Sequence, residues 1–288
     1  MTNILWKKLL EPRIWQRIYR ERAGEPVIYN IASLFILLFG SFRKRIEYDL
    51  VPRQPYAFCI QAAADEAKSA GIKKITLIEF GVAAGAGLLN MCWVADRVTK
   101  ETGVEFEIIG FDGGEGMPPP RDYRDHPEKY FQGDFPVIDK NRLLELLPNN
   151  ARIIFGNIKE SIRAFELEHP IGFVSVDVDY FWSAEECLEV FTFPPENYLP
   201  RVYTYFDDVQ DIDDNEFCGE LLAIKQFNKA SELRKIAVAN CLANLRLFKT
   251  PVWLRQVYLT HIFDHQHRSI AFIRSKNKKT VILNNPYL

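Results

Sequence analysis

The sequence predicts an α/β fold built on a doubly wound, mostly parallel, Rossmann-like sheet, and three observations carry the prediction. Short apolar, β-branched runs alternate with longer segments of helical periodicity, the pattern of a parallel sheet covered on both faces. Polar residues (Glu79, Asp112, Asn157, Asp177 and Asp207) fall at or just beyond the ends of those runs, where such sheets bind ligands. A glycine-rich turn, Glu79-Phe80-Gly81-Val82-Ala83-Ala84-Gly85-Ala86-Gly87, follows the first run and opens a helix.

In chain order, residues 1–50 read as a basic helical extension, with Trp6, Leu9, Leu10, Ile14 and Ile18 at helix spacing and Arg13, Arg17 and Arg20 on other faces. Its segment Val27 to Phe42 is membrane-like but contains Asn30 and Ser33, and its uninterrupted apolar part, Leu34 to Phe39, is far short of the ~20 residues of a spanning helix. It is expected to be a buried helix packed on the main domain or on another subunit; contact with a membrane surface through the following Arg43, Lys44 and Arg45 is the alternative. Pro52 and Pro55 mark the boundary with a domain over residues 51–288. Within it, Ala57 to Ala70 is a helix, Ile75 to Glu79 a strand and Leu88 to Val98 a helix. Phe106 to Asp112 is the second strand, Leu143 to Leu147 part of a helix, and Arg152 to Phe155 the third strand. Phe173 to Asp177 is the fourth, Glu185 to Phe191 a helix and Val202 to Phe206 the fifth. Glu216 to Ala230 reads as a helix, and Val257 to Phe263 and Ser269 to Ile273 as closing strands.

Composition narrows the class of function. With 48% hydrophobic and 26% charged residues the chain is neither disordered nor repetitive. A net charge of −2 provides no overall basic field for nucleic acid, so no nucleic-acid partner is expected. The N-terminus lacks the apolar core of a secretory signal, and the 5 scattered cysteines form no CxxC pair. Free thiols in the cytoplasm are the expectation, with peripheral membrane attachment through residues 1–50 kept open.

The turn has the spacing Gly81-x3-Gly85-x-Gly87, not the G-x-G-x-x-G of a dinucleotide fold, and it lacks the Lys-Ser/Thr of a P-loop. Glycines allow a sharp bend and a close ligand, and the helix start beneath adds positive potential for a carboxylate. Glu79 would repel a phosphate and suits a cation, such as the amino group or sulfonium of S-adenosylmethionine. Asp112 is the expected acceptor for ribose hydroxyls. Further along, Asp177-Val178-Asp179 and Asp207-Asp208 close neighbouring strands. Clustered carboxylates repel one another unless a cation neutralises them, and hard oxygen ligands fit Mg²⁺, with Mn²⁺ or Ca²⁺ as alternatives.

Glu79 to Gly87, with Phe111-Asp112 one strand later, resembles motifs I and II of class I methyltransferases, over roughly Arg53 to Val209 in element order. The resemblance implies a seven-stranded methyltransferase sheet, with Glu79, Gly81, Gly85, Gly87 and Asp112 at the S-adenosylmethionine site and Asn157 beside the adenine. The aspartates, and the Phe111 to Pro118 stretch, resemble the metal-dependent sugar O-methyltransferases of the macrocin O-methyltransferase type. That resemblance implies Asp177, Asp207 and Asp208 as Mg²⁺ ligands and Asp179 as the base, acting on a hydroxyl of a small, sugar-containing acceptor. The chain departs from the family in reading Leu199-Pro200-Arg201-Val202 where Gly-Gly is usual, and in its long aromatic Pro118 to Phe135 loop. That loop reads equally as a substrate wall or a structural excursion, and Phe181 and Trp182 as pocket lining or packing.

Two other functions compete. A nucleotide-sugar glycosyltransferase would use Asp177-Val178-Asp179 to hold a metal against a diphosphate, but leaves Glu79 and the glycine turn idle. A non-catalytic S-adenosylmethionine-binding assembly protein, homo-oligomeric through residues 1–50, is the other. His261, His265 and His267 lie in a strand-like stretch without partner ligands and read as ordinary hydrogen-bonded histidines.

Overall fold

The computed structural model describes Tyr19, residues 21–269 and Ala271. The helix expected over Trp6 to Ile18 lies outside these residues, as does all but Ser269 and Ala271 of the strand expected at 269–273.

Among the described residues, seven strands form one sheet: β1 (Lys74–Phe80), β2 (Glu105–Asp112), β3 (Ala151–Phe155), β4 (Ile171–Val176), β5 (Tyr198–Phe206), β6 (Arg234–Val238) and β7 (Val257–Ile262). Their order is β3-β2-β1-β4-β5-β7-β6. β7 runs antiparallel to both its neighbours and the other pairings are parallel. Three nearly unbroken apolar runs sit at the centre of the sheet because both its faces are covered. In β1, Leu77 packs toward α3 (Gln54–Ser69) and α4 (Ala86–Thr102), whereas Ile78 packs toward α7 (Phe181–Leu188) and α8 (Gly219–Ala230). Two short helices, α5 (Lys140–Leu146) and α6 (Ile158–Ala164), flank β3.

The chain winds outward from β1 through β2 to β3, then returns to the other side of β1 to lay down β4 and β5. The β1–β4 junction is therefore the switch point, where a crevice opens beyond the carboxyl ends of the strands. Register aligns those ends. Phe80 pairs with Phe111 on one side and Val176 on the other, and Val176 pairs with Phe206. The residues that follow, Gly81, Asp112, Asp177 and Asp207, consequently stand level along one rim.

Among the elements absent from the sequence expectation are β6 and α6. β6 is a five-residue edge strand carrying Arg234 and Lys235, too short and too charged to show a period. α6 is seven residues long, but its start was legible: Asn157 caps it and Glu160 occupies the third position, a capping-box arrangement.

The N-terminal segment needs a correction. α1 (Val27–Phe39) is not buried against the domain: Ser33 is its sole buried residue, and most of its apolar side chains face outward. α2 (Phe42–Glu47) follows and packs on α3 and α4. Arg246, beside the four-residue α9 (Leu242–Leu245), ties this region down by donating to the carbonyl of Ile46 (2.6 Å) and to Asp49 Oδ1 (2.6 Å). No helix among the described residues is long and apolar enough to cross a membrane.

Candidate functional site

A cavity of about 430 Å³ opens at the switch point, lined by the glycine turn, Asp112, Asp177, Asp179, Asp207 and the loop after β2. Each glycine of the turn has its own steric reason. A Cβ on Gly81 would lie 1.8 Å from the carbonyl oxygen of Asp177, and its φ of +83° belongs to the left-handed region. Gly81 thus lets β1 and β4 end side by side. A Cβ on Gly87 would lie 2.0 Å from Glu79 Oε1, so the missing side chain makes room for that carboxylate under the first turn of α4. Gly85 faces away from the cavity and accommodates Leu143 of α5, whose Cδ1 would be 2.2 Å from an added Cβ.

Glu79 is 1% exposed. Tyr56 of α3 donates its hydroxyl to Glu79 Oε1 (2.7 Å) and lies 2.6 Å from Ser175 Oγ of β4. Glu79 Oε2 is buried with no hydrogen-bond partner. Burial pushes the carboxyl up to about 7, opposed by the Tyr56 hydrogen bond and the charge of Arg53. Arg53 lines the same cavity, held in a left-handed conformation (φ +47°) at the start of α3, with its guanidinium 5.4 Å from the Tyr56 ring centre. An unsatisfied buried carboxylate oxygen and a nearby guanidinium fit an amino-acid head carrying both an ammonium and a carboxylate.

Asp112 has a structural task as well. Its Oδ2 accepts from the Ala83 N–H (2.8 Å) and its Oδ1 from the Gly114 N–H (2.5 Å), joining the glycine turn to the loop after β2. Each oxygen retains a further lone pair, and Asp112 lines the cavity, as a ribose acceptor requires. Asn157 stands apart. Its side chain accepts from the Glu160 N–H to cap α6, and it lines a separate shallow hollow, while the neighbouring Ile158 lines the main cavity. Of the two neighbours, Ile158 rather than Asn157 lines the main cavity.

The acidic end of the cavity is compact. One oxygen from each of Asp177, Asp207 and Asp208 lies within 4.8 Å of the others. Burial first, then the charges of Asp207, Asp208 and Asp179, raise Asp177 well above the ordinary carboxylate range. Burial and the neighbouring Asp179 and Asp207 push Asp208 up to about 8. Asp208 Oδ2 is buried and unpartnered, while its Oδ1 accepts from the Tyr130 hydroxyl (3.0 Å). Asp207 accepts from the Tyr205 hydroxyl, and Gln256 holds its backbone carbonyl (2.8 Å). Crowded carboxylates with raised affinity for protons are a donor set that fits a hard divalent cation. The acids farther out behave differently: Asp211 and Asp214 pair with Lys129, and Glu216 pairs with Lys225.

Asp179 adjoins this set in a left-handed backbone (φ +59°), an uncommon conformation for a non-glycine residue that is over-represented at functional sites. Burial raises the proton affinity of its carboxyl above the usual value. Behind the cluster, the fully buried Glu220 accepts from the backbone N–H of Asp208 (3.1 Å) and faces that of Val178 (3.5 Å), bridging the loops after β4 and β5.

The loop after β2 is a fixed wall. Arg121 pairs with Glu186 of α7 (3.1 Å), Arg124 stacks over Trp182, and the buried Asp125 accepts from the backbone N–H of Trp182 (3.2 Å). Met117, Pro118, Asp134 and Phe135 face the cavity. Trp182 and Phe181 serve packing, while Ser183 reaches the cavity. The three histidines lie on or just after β7 and join no metal-competent group among the described residues.

Sequence reading missed Arg53, Tyr56, Ser175, Tyr130 and Glu220. Arg53 and Tyr56 flank Pro55 at the start of a predicted helix, a position where a cation at the helix entry was the available signal. The other three are defined solely by tertiary contact.

No family model and no curated protein matches the chain. Among solved structures it is similar to CalS11, a calicheamicin methyltransferase, at 16% identity over 70% of this chain and 84% of that one, with a TM-score of 0.48. It is also similar to MNMC2 from Aquifex aeolicus at 14% identity over 69% and 56%, TM-score 0.35. A third is the plantazolicin methyltransferase BpumL in complex with SAH, at 10% identity over 82% and 84%, TM-score 0.29. Likeness of this size carries no inference about chemistry, which rests on the residues of the site.

Proposed function

We propose that this chain is an S-adenosylmethionine-dependent O-methyltransferase acting on a hydroxyl of a small, sugar-containing acceptor, with Mg²⁺ held by Asp177, Asp207 and Asp208. The observation that carries the reading is the buried, unpartnered Glu79 Oε2 beneath the glycine turn of the cavity. A buried carboxylate whose second oxygen has no donor calls for a cationic ligand, and a phosphate would be repelled by it.

In this reading Glu79 receives the ammonium and Arg53 the carboxylate of the methionine moiety, while Asp112 accepts from the ribose. S-adenosylmethionine supplies a methyl group made electrophilic by its positively charged sulfur. Mg²⁺ held by Asp177, Asp207 and Asp208 would increase the acidity of a hydroxyl brought to it. Asp179 takes the proton of the attacking hydroxyl, its own proton affinity already raised by burial. Tyr130 orients Asp208 through its hydroxyl. Val82, Met117, Pro118, Phe135 and Ile158 give the cavity apolar walls that exclude water and align oxygen with methyl, the main demand of an in-line displacement. Asp134 and Ser183 offer hydrogen bonds to a polyhydroxylated acceptor.

Calorimetric titration with S-adenosylmethionine and with nucleoside-diphosphate sugars, each with Mg²⁺ or with EDTA, tests this. Saturable binding of S-adenosylmethionine without metal, and no binding of the diphosphate sugar, is expected. Binding of the diphosphate sugar alone transfers the site to a glycosyltransferase, and methyl transfer unchanged in EDTA removes the metal.

A further inference from the structure

The chain divides by charge. Residues 1–45 carry nine Lys and Arg against three Asp and Glu, a net +6, while the remainder carries 27 against 35, a net −8. Inside the basic segment lies α1, which contains no charged residue. Ile31, Leu34, Phe35, Leu38 and Phe39 recur at helical spacing on it and are 60% to 72% exposed. The other side of the helix is anchored. Arg22 donates to Ser33 Oγ (3.3 Å) and to the carbonyl of Tyr48 (2.7 Å), Asn30 donates to the carbonyl of Arg22 (3.1 Å), and Tyr29 packs edge-on against Phe248. The apolar face is thus held outward. Arg43 and Lys44 follow it with side chains 42% and 54% exposed even while paired to Asp65 and Glu47.

We propose that α1 docks this protein on an anionic membrane surface, its apolar face entering the boundary between headgroups and acyl chains and the flanking basic residues meeting lipid phosphates. Charge selects this occupant over a second copy of the chain, because a symmetric dimer through α1 would bring two net +6 segments together. Length selects the orientation. Thirteen residues at about 1.5 Å each reach about 20 Å, well below the ~30 Å hydrocarbon core, so the helix lies in the interface. The inference is independent of the methyltransferase reading.

Flotation of the full chain with vesicles of phosphatidylcholine alone, or with about one third phosphatidylserine, tests it. Binding to the anionic vesicles is expected, weakened by high salt, with little binding to the neutral ones. The double variant Leu34→Asp, Phe35→Asp is expected to lower that binding about tenfold or more with an unchanged melting temperature, since both side chains are exposed. Absence of binding to anionic vesicles, or equal binding by the variant, overturns the proposal. So does a dimer, seen by light scattering, that the same variant dissociates, which would assign the face to a second copy.

Discussion

Glu79→Gln perturbs the cavity at the point where its electrostatics are most constrained. Burial raises the Glu79 carboxyl from 4.5 to about 7 in the folded chain. Because the folded value is the higher one, the stability linked to its proton is fully present below pH 4.5 and is lost as pH rises through 7. At roughly 1.4 kcal/mol per pH unit, the loss is about 3 kcal/mol across that window. The glutamine would keep an acceptor for Tyr56 but place an N–H where Oε2 has no partner, costing about 1–3 kcal/mol at every pH. The variant should therefore be less stable than the parent in acid and similar to it near pH 8. A cationic ligand reverses the slope, since it favours the ionised carboxylate. S-adenosylmethionine should bind the parent about tenfold more weakly at pH 6 than at pH 8. Loss of a charge-assisted hydrogen bond of about 1.5–3 kcal/mol should weaken binding by the variant about 10- to 150-fold at pH 8, with little pH dependence. Urea unfolding from pH 5 to 8, paired with calorimetric titration, reads both quantities. Comparison of the two proteins isolates Glu79 from Asp177, Asp179, Asp208 and Glu220, whose raised proton affinities slope the same way. Parallel stability profiles, or unchanged affinity in the variant, would refute the assignment of Glu79.

Three further outcomes follow from single contacts. Gly81→Ala drives a Cβ to 1.8 Å from the Asp177 carbonyl in a left-handed backbone, and should cost about 3 kcal/mol or more, read as a fall in melting temperature and in ligand affinity together. Tyr130→Phe removes the hydroxyl that donates to Asp208 Oδ1 but touches no part of the Glu79 end; kcat should fall about 10- to 100-fold with little change in KM for S-adenosylmethionine. Arg246→Met strips the buried Asp49 of its partner, and unfolding in urea should report a loss of about 3–5 kcal/mol.

The strand–helix alternation, the glycine turn and the acids at strand ends were written locally. Apolar runs such as Ile75 to Ile78 and glycines that must adopt positive φ leave their mark within a few residues. Level strand ends then follow from parallel register, so Glu79, Asp112, Asp177 and Asp207 could be read as neighbours before any coordinates. Asn157 shows a task that the local reading did not raise: its side chain accepts from the Glu160 N–H and caps a helix. What the tertiary structure alone decided is the set of partners. Tyr56 reaches across 23 positions to Glu79 and across 119 positions to Ser175, so that distant segments govern one carboxylate. Tyr130 crosses 78 positions to reach Asp208, and Glu220 is buried behind it. The outward face of α1 was likewise invisible, because an apolar helix has the same period whether it is covered or bare. Periodicity records which side of an element is apolar; only packing determines what, if anything, lies against it.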